Sequence, residues 1–177
     1  MIPRRGVKRK TPYDMVAILH HDFWVSIDSR VPNILMRDAI EQGMIDQFRG
    51  YEKIVPEYRL GDSRFDFLLM NSGKCLLEVK SCTLVKRGTA LFPDAPTTRG
   101  RRHLEELITA KYRGYRSCIA FVVQREDARC FAPNREIDEA FADALMAARA
   151  AGVEVFAFSC VLSRRGIELD GQLPVMV

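Results

Sequence analysis

Residues 54–81 read IVPEYRLGDSRFDFLLMNSGKCLLEVKS. Three strand-like runs, Ile54–Leu60, Arg64–Met70 and Cys75–Ser81, are separated by the turn signals Gly61-Asp62 and Asn71-Ser72-Gly73. Gly-Asp suits a two-residue hairpin turn with glycine at its first central position. Asn-Ser-Gly suits a three-residue loop whose glycine is left-handed. The first turn pairs Leu60 with Ser63, and hence Glu57 with Asp66. The second pairs Met70 with Lys74, and hence Asp66 with Glu78. One face then carries Ile54, Pro56, Tyr58, Phe65, Phe67, Leu69, Cys75, Leu77 and Val79, all apolar or aromatic. A one-residue slip would drive charges into that core, which supports the register.

The opposite face is layered. Val55, Leu68 and Leu76 form a row that something must cover. Glu57, Asp66 and Glu78 form the next, with Arg59, Arg64 and Lys80 beyond. Two carboxylates ~5 Å apart repel by roughly 3 kcal/mol at an effective dielectric near 20. Three outcomes relieve the row: proton uptake, neutralisation by the flanking cations, or a hard divalent cation. An exposed charge ladder and a Mg²⁺ site both fit the pattern.

Outward from this block, Tyr13–Leu19 and Phe23–Ile27 read as strands split by His20-His21-Asp22. Asn33 to Gln42 has helical spacing, with Gly43 as its stop. A loop through Phe92-Pro93-Asp94-Ala95-Pro96 leads to a helix from Thr98 to Tyr112, ended by Gly114. Ser117–Gln124 is a buried strand, Ile137–Ala151 an Ala-rich helix, Val153–Cys160 a strand, and Gly166–Leu169 a short final one. Leu104, Leu107, Ile108 and Tyr112 read as an apolar stripe that covers the sheet. This alternation predicts an α/β domain with a mixed central sheet flanked by helices.

A length of 177 residues suits one domain with a proper core. The 47% apolar and 28% charged composition is that of a globular protein, not a disordered or collagenous one. The longest apolar runs fall short of a membrane span, so no membrane partner is expected. The basic start is followed by only five apolar residues, Met15 to Leu19, too few for a signal peptide. Five scattered cysteines without a C-x-x-C pair read as reduced thiols in a cytoplasmic protein. The net charge of +4 is unevenly placed. Arg4, Arg5, Lys8, Arg9 and Lys10 make a basic arm, and the rest is near neutral. Such an arm either touches nucleic acid or is a solvated terminus.

Asp66, a hairpin and then Glu78-Val79-Lys80 resemble the PD-(D/E)XK nuclease superfamily. The tripeptide alone is a weak signal, but its surroundings are specific. Glu57 to Leu69, Leu77 to Val85, Phe92-Pro93-Asp94-Ala95, Thr97, Arg99-Gly100 and His103-Leu104 are similar to the sugar fermentation stimulation protein family. Phe121 to Arg125, Ala151 to Val155, Lys8-Arg9-Lys10 and Asn33 extend the resemblance over almost the whole chain.

The resemblance implies a PD-(D/E)XK restriction-endonuclease-like core over residues 30–177. Residues 1–29 would be the basic arm and a remnant β-hairpin of an OB-like barrel whose other strands are not in this chain. Such a remnant would pack on the body or pair with a second copy in a homodimer. DNA is the implied partner and Mg²⁺ or Mn²⁺ the implied cofactor. Asp66 and Glu78 would hold the metal, with Glu57 and the Val79 carbonyl helping, and Lys80 would assist the attacking water. Arg99, Arg101, Arg102 and Arg64 would contact DNA. The three helix arginines stand in the first turns of their helix, where free N–H groups favour phosphate. Alternatively, Arg101 and Arg102 pair with Glu105 and Glu106. Asp94, His103 and Gln124 are supporting candidates; each also has a plain structural role open to it, as loop or capping acid, satisfied helix histidine and strand-end amide. The expected activity is a metal-dependent DNA phosphodiesterase. The alternatives are a non-catalytic DNA-binding regulator of sugar metabolism genes, and an inactive partial family member that survives as a dimer.

Overall fold

The computed structural model describes residues 2–3, 13–61, 63–163 and 166–177. The basic arm from Arg4 to Lys10 and Asp62 of the first hairpin turn lie outside the described residues. In chain order the elements are β1 (Ile2–Pro3), β2 (Tyr13–Asp14), β3 (Ala17–His20), β4 (Phe23–Ser26), α1 (Val31–Glu41), β5 (Lys53–Leu60), β6 (Ser63–Met70) and β7 (Lys74–Cys82). Then come β8 (Leu84–Lys86), β9 (Thr89–Phe92), α2 (Thr98–Tyr112), β10 (Arg116–Val123), β11 (Cys130–Pro133), α3 (Glu139–Ala150), β12 (Glu154–Ser163) and β13 (Gly166–Gln172).

The main sheet runs β13-β12-β10-β7-β6-β5. Its β7–β10 and β10–β12 pairs are parallel, and the others are antiparallel. Parallel neighbours need a crossover, and α2 and α3 supply the two crossovers here. Both helices pack on one face through Leu104, Leu107, Phe141 and Leu145. Helix α1 covers the other face with Met36, Ala39 and Ile40. The domain is therefore the expected mixed α/β sandwich. Among the described residues, no helix is long and apolar enough to cross a membrane.

The hairpin register is as expected, from Leu60↔Ser63 and Met70↔Lys74 inward. The single apolar face is not. Phe67, Leu69, Cys75, Leu77 and Val79 pack with α1, but Tyr58 and Phe65 pack in the α2/α3 layer. The cause is local. Glu57 has a left-handed backbone, φ 52°, and the ladder carries no Glu57↔Asp66 rung. A residue in that conformation breaks the two-residue alternation of β5 and re-aims Tyr58 beyond it; on β6 the change falls at Asp66, whose side chain bonds Val79 and Asn33.

Other differences have similarly local causes. Helix α1 begins at Val31, because Pro32 is well placed in a first turn. Helix α3 begins at Glu139, after the cap Asp138. The final strand continues to Gln172. The first expected strand is split at Met15-Val16 into β2, which pairs with β1, and β3, which pairs with β4. The small sheet β11-β9-β8 is formed by segments to which the sequence assigns no element. Tyr112 is 79% exposed, so the covering stripe of α2 ends with Ala110. The β3–β4 hairpin lies on the body, where β4 meets β12 with Val25 and Ser26 buried. Leu19 and Trp24 remain outside, 59% and 47% exposed.

Asp138 ties the two crossovers together. Its Oδ1 accepts the Phe141 N–H at 2.9 Å, capping α3, and its Oδ2 accepts the Thr97 N–H at 2.8 Å. Thr97 in turn caps α2 by accepting the Gly100 N–H at 3.0 Å. The bond from Thr97, reinforced by that from Phe141, outweighs burial and holds the Asp138 carboxyl below its ordinary value. Stability from such a group is present above the unfolded carboxylate value and lost as pH falls through the lower folded one. Asp138→Ala should cost about 1–2 kcal/mol at neutral pH. The gap should narrow in acid below about pH 4, which urea melts of both proteins across that range would measure.

Candidate metal and phosphate site

Strands β6 and β7 pair as far as Phe67↔Leu77 and then part. At this fork the Asp66 side chain substitutes for a backbone rung. Its Oδ2 accepts the Val79 N–H at 2.8 Å, and its Oδ1 accepts Asn33 Nδ2 at 2.7 Å. Asn33 comes from the first turn of α1, so one carboxylate fastens both strands and the helix. Asn33 is the residue that reasoning from chemistry missed. In the sequence Asn33 stands only as the start of a helix and as part of the family resemblance, and neither shows the bond to Asp66.

Glu78 lies on the α2 side of the fork and is 2% exposed. Lys80 Nζ donates to Glu78 Oε1 at 2.5 Å, and His103 Nδ1 from α2 contacts the same oxygen. Glu78 Oε2 is buried with no hydrogen-bond partner. An unpaired buried carboxylate oxygen costs the full desolvation of that atom unless a further ligand completes it.

Environment pushes the two carboxyls apart. Burial works to raise Glu78, but the bond to His103 and the Lys80 charge outweigh it, leaving Glu78 below its ordinary value. Asp66 moves the other way. Burial and then the Glu78 charge raise it, and the bonds from Val79 and Asn33 recover only part. Neighbouring acids separated in this way are a mark of sites that handle ions or protons.

Glu57 does not join them. Its left-handed backbone turns the side chain outward, where it is 71% exposed and stands 3.6 Å from Arg64. Among the described residues, no three or more His, Cys, Asp or Glu side chains gather as a metal cluster. The expected three-acid row is thus a pair, Asp66 and Glu78. Its oxygens, with the Val79 carbonyl implied by the resemblance, remain a hard donor set that suits Mg²⁺, Mn²⁺ or Ca²⁺. Mg²⁺ commonly uses only one or two carboxylates.

The arginines sit at the start of α2, whose first turn contains no acid. Arg99 Nε donates to His103 Nε2 at 3.4 Å. Arg101 Nη2 donates to Thr98 Oγ1 at 3.2 Å, and its Nε is buried without a partner. Arg102 stands 3.6 Å from Glu106, the one expected arginine–glutamate pair that forms. Gly100 between them is required by packing. A Cβ there would come within 2.8 Å of Thr97 and 3.2 Å of Phe141. Arg64 is half exposed on the first hairpin, paired with Glu57. Asp94 is exposed in the loop before α2, and Thr97 is the cap in its place. Gln124 is buried at the end of β10, where its Nε2 donates to Ser81 Oγ at 2.8 Å and its N–H to the Cys82 carbonyl at 2.9 Å. It ties β10 to β7 and makes no bond to Asp66, Glu78 or Lys80.

Comparison with known proteins places this geometry in context. The family model described as "Sugar fermentation stimulation protein RE domain" matches residues 30–166. A sugar fermentation stimulation protein homolog from Moorella thermoacetica is 47% identical over 171 residues, covering 96% of this chain and 73% of that protein. The homolog from Natranaerobius thermophilus is 44% identical over 177 residues, covering 97% and 74%. The structure of Pyrococcus furiosus SfsA in complex with Ca²⁺ superposes with a TM-score of 0.92 at 32% identity, over 99% of this chain and 76% of that one.

Proposed function

The chain belongs to the sugar fermentation stimulation protein family, and we propose that it is a divalent-metal-dependent phosphodiesterase acting on DNA. The observation that carries this reading is Glu78 Oε2, buried and unpaired beside the Asp66 carboxylate, with Lys80 on the same strand. The related Pyrococcus furiosus protein was solved with Ca²⁺, which supports a hard-cation site in the family. Asp66, Glu78 and the Val79 carbonyl would hold Mg²⁺ or Mn²⁺. When bound, the ion would lower the pKa of water and offset charge on the scissile phosphate. Lys80 would orient the attacking water and neutralise charge that develops on the phosphate oxygens. Arg99, Arg101 and Arg102 would hold flanking phosphates, with the N-terminus of α2 adding its dipole.

The test is incubation of the purified protein with linear and supercoiled DNA in Mg²⁺, Mn²⁺ or EDTA. Cleavage with either metal and none in EDTA is the expected result. Binding without cleavage in any metal would favour the second reading, a non-catalytic DNA-binding regulator. That reading draws support from Glu57, whose outward turn leaves two acids where three were expected. In either case the three arginines should govern salt sensitivity. Changing all three to alanine should reduce the slope of log K against log salt by about 2–3, measured by fluorescence anisotropy. An unchanged slope would remove the arginines from the interface.

A further inference from the structure

The metal reading above assigns no role to His103, yet this side chain is 2% exposed and joins two parts of the site. Its Nε2 faces Arg99 Nε at 3.4 Å, and its Nδ1 faces Glu78 Oε1. A guanidinium has only donors. Nε2 therefore accepts, and the ring proton sits on Nδ1 and is given to Glu78; Lys80 Nζ, 3.4 Å from Nδ1, is close because both donate to the same carboxylate oxygen. Oε1 is thus held by two donors from two elements, and Oε2 has none. The asymmetry makes a one-oxygen ligand out of a two-oxygen carboxylate.

Resting on that metal reading, we infer that His103 is a positioning residue, set in its tautomer by the Glu78 carboxylate on one side and Arg99 on the other, that holds Glu78 so that Oε2 alone is presented to the divalent ion. Arg99 is exposed at the start of α2 and also belongs to the phosphate-binding set. The chain Arg99–His103–Glu78 therefore joins the DNA-facing side of α2 to the metal ligand. The alternative is a histidine that only fills space against Phe65, whose ring lies 6.3 Å away. A space-filling role predicts that an aromatic ring of similar size would serve.

The experiment uses Mn²⁺ calorimetry on the full chain, with melting temperatures recorded in EDTA. His103→Phe keeps a ring but removes both nitrogens, and should weaken Mn²⁺ binding about 10–100-fold, the usual effect of removing a group that orients a metal ligand. His103→Asn keeps a donor near the Nδ1 position and should restore binding to within about threefold of the wild type. ¹⁵N spectra of histidine-labelled wild type should show His103 protonated at Nδ1, the nitrogen that faces the acceptor-only Glu78 carboxylate. The spectra decide the matter if His103→Phe does not fold. Wild-type Mn²⁺ affinity in His103→Phe, or an Nε2-protonated ring in the wild type, overturns this inference and leaves the metal reading standing. No Mn²⁺ binding by the wild type overturns both.

Discussion

Under the proposed phosphodiesterase reading, Asp66→Asn is expected to abolish metal-dependent cleavage and, in the same protein, to raise the melting temperature in EDTA at neutral pH. The first effect follows from losing an anionic ligand. Loss of a group that merely supports a ligand costs 10–100-fold, so loss of the ligand should cost at least about 10²-fold. The second follows from the direction of the Asp66 shift. Burial and the neighbouring Glu78 charge hold its folded carboxyl above the unfolded value. The folded protein therefore keeps this proton to higher pH than the unfolded chain does. Its stability is greatest below the unfolded value and falls as pH rises through the folded one. Asparagine has nearly the same shape, still accepts the Val79 N–H, can donate to Asn33 once that amide turns its oxygen inward, and removes the charge. Saturating Mn²⁺ should reverse the order, because binding energy then stabilises the wild type alone. Scanning calorimetry in EDTA and in Mn²⁺ would measure both. A lower melting temperature for Asp66→Asn in EDTA would mean that the bonds to Asn33 and Val79 outweigh burial and repulsion.

That balance explains which parts of the site were legible in sequence. The two turns, Gly61-Asp62 and Asn71-Ser72-Gly73, determine register by their length, and the alternating apolar residues check it. Asp66, Glu78 and Lys80 follow from the count. Helix α2 is recoverable to its ends, Thr98 to Tyr112, because a capping threonine precedes it and Gly114 follows. Glu57 is different. Its left-handed backbone is a property of how two strands twist around the fork, and glutamate does not announce it. Tyr58 and Phe65 turn to the α2/α3 layer on either side of the missing Glu57↔Asp66 rung, so these departures fall at one step of the ladder. The small sheet was hidden for another reason. Leu84–Lys86 and Thr89–Phe92 are too short to show a period, and Cys130–Pro133 joins them from a distant part of the chain. His103 illustrates the remaining limit. Its place on α2 was readable, but its tautomer depends on which group faces each nitrogen, and that is a tertiary fact.

Phe121→Ala should be the most destabilising single change in the framework behind the site, at about 3–5 kcal/mol. The ring is fully buried on β10 and stacks on Phe131 of β11, with centroids 4.1 Å apart and planes 21° apart. It also meets Phe92 of β9 at 5.3 Å, and Phe92 meets Phe141 of α3 at 5.1 Å. Four aromatic rings thus link the main sheet, the small sheet and a crossover helix. Deleting Phe121 leaves a cavity against Phe92 and Phe131, which rigid neighbours refill poorly. Against a total stability of about 5–15 kcal/mol for a domain, this loss is large. Its consequence for function is specific. Phe92 leads through the loop that ends at Thr97, and Thr97 starts the helix that carries Arg99 and His103. A loosened Phe92 lets that helix start move relative to Glu78 on β7. Phe121→Ala should therefore weaken Mn²⁺ binding under conditions where urea melts show the protein still folded. Phe121→Leu, which keeps most of the volume, should lose less on both measures. Equal Mn²⁺ affinity in folded Phe121→Ala and wild type would show that the aromatic chain carries stability alone and leaves the position of α2 to its caps.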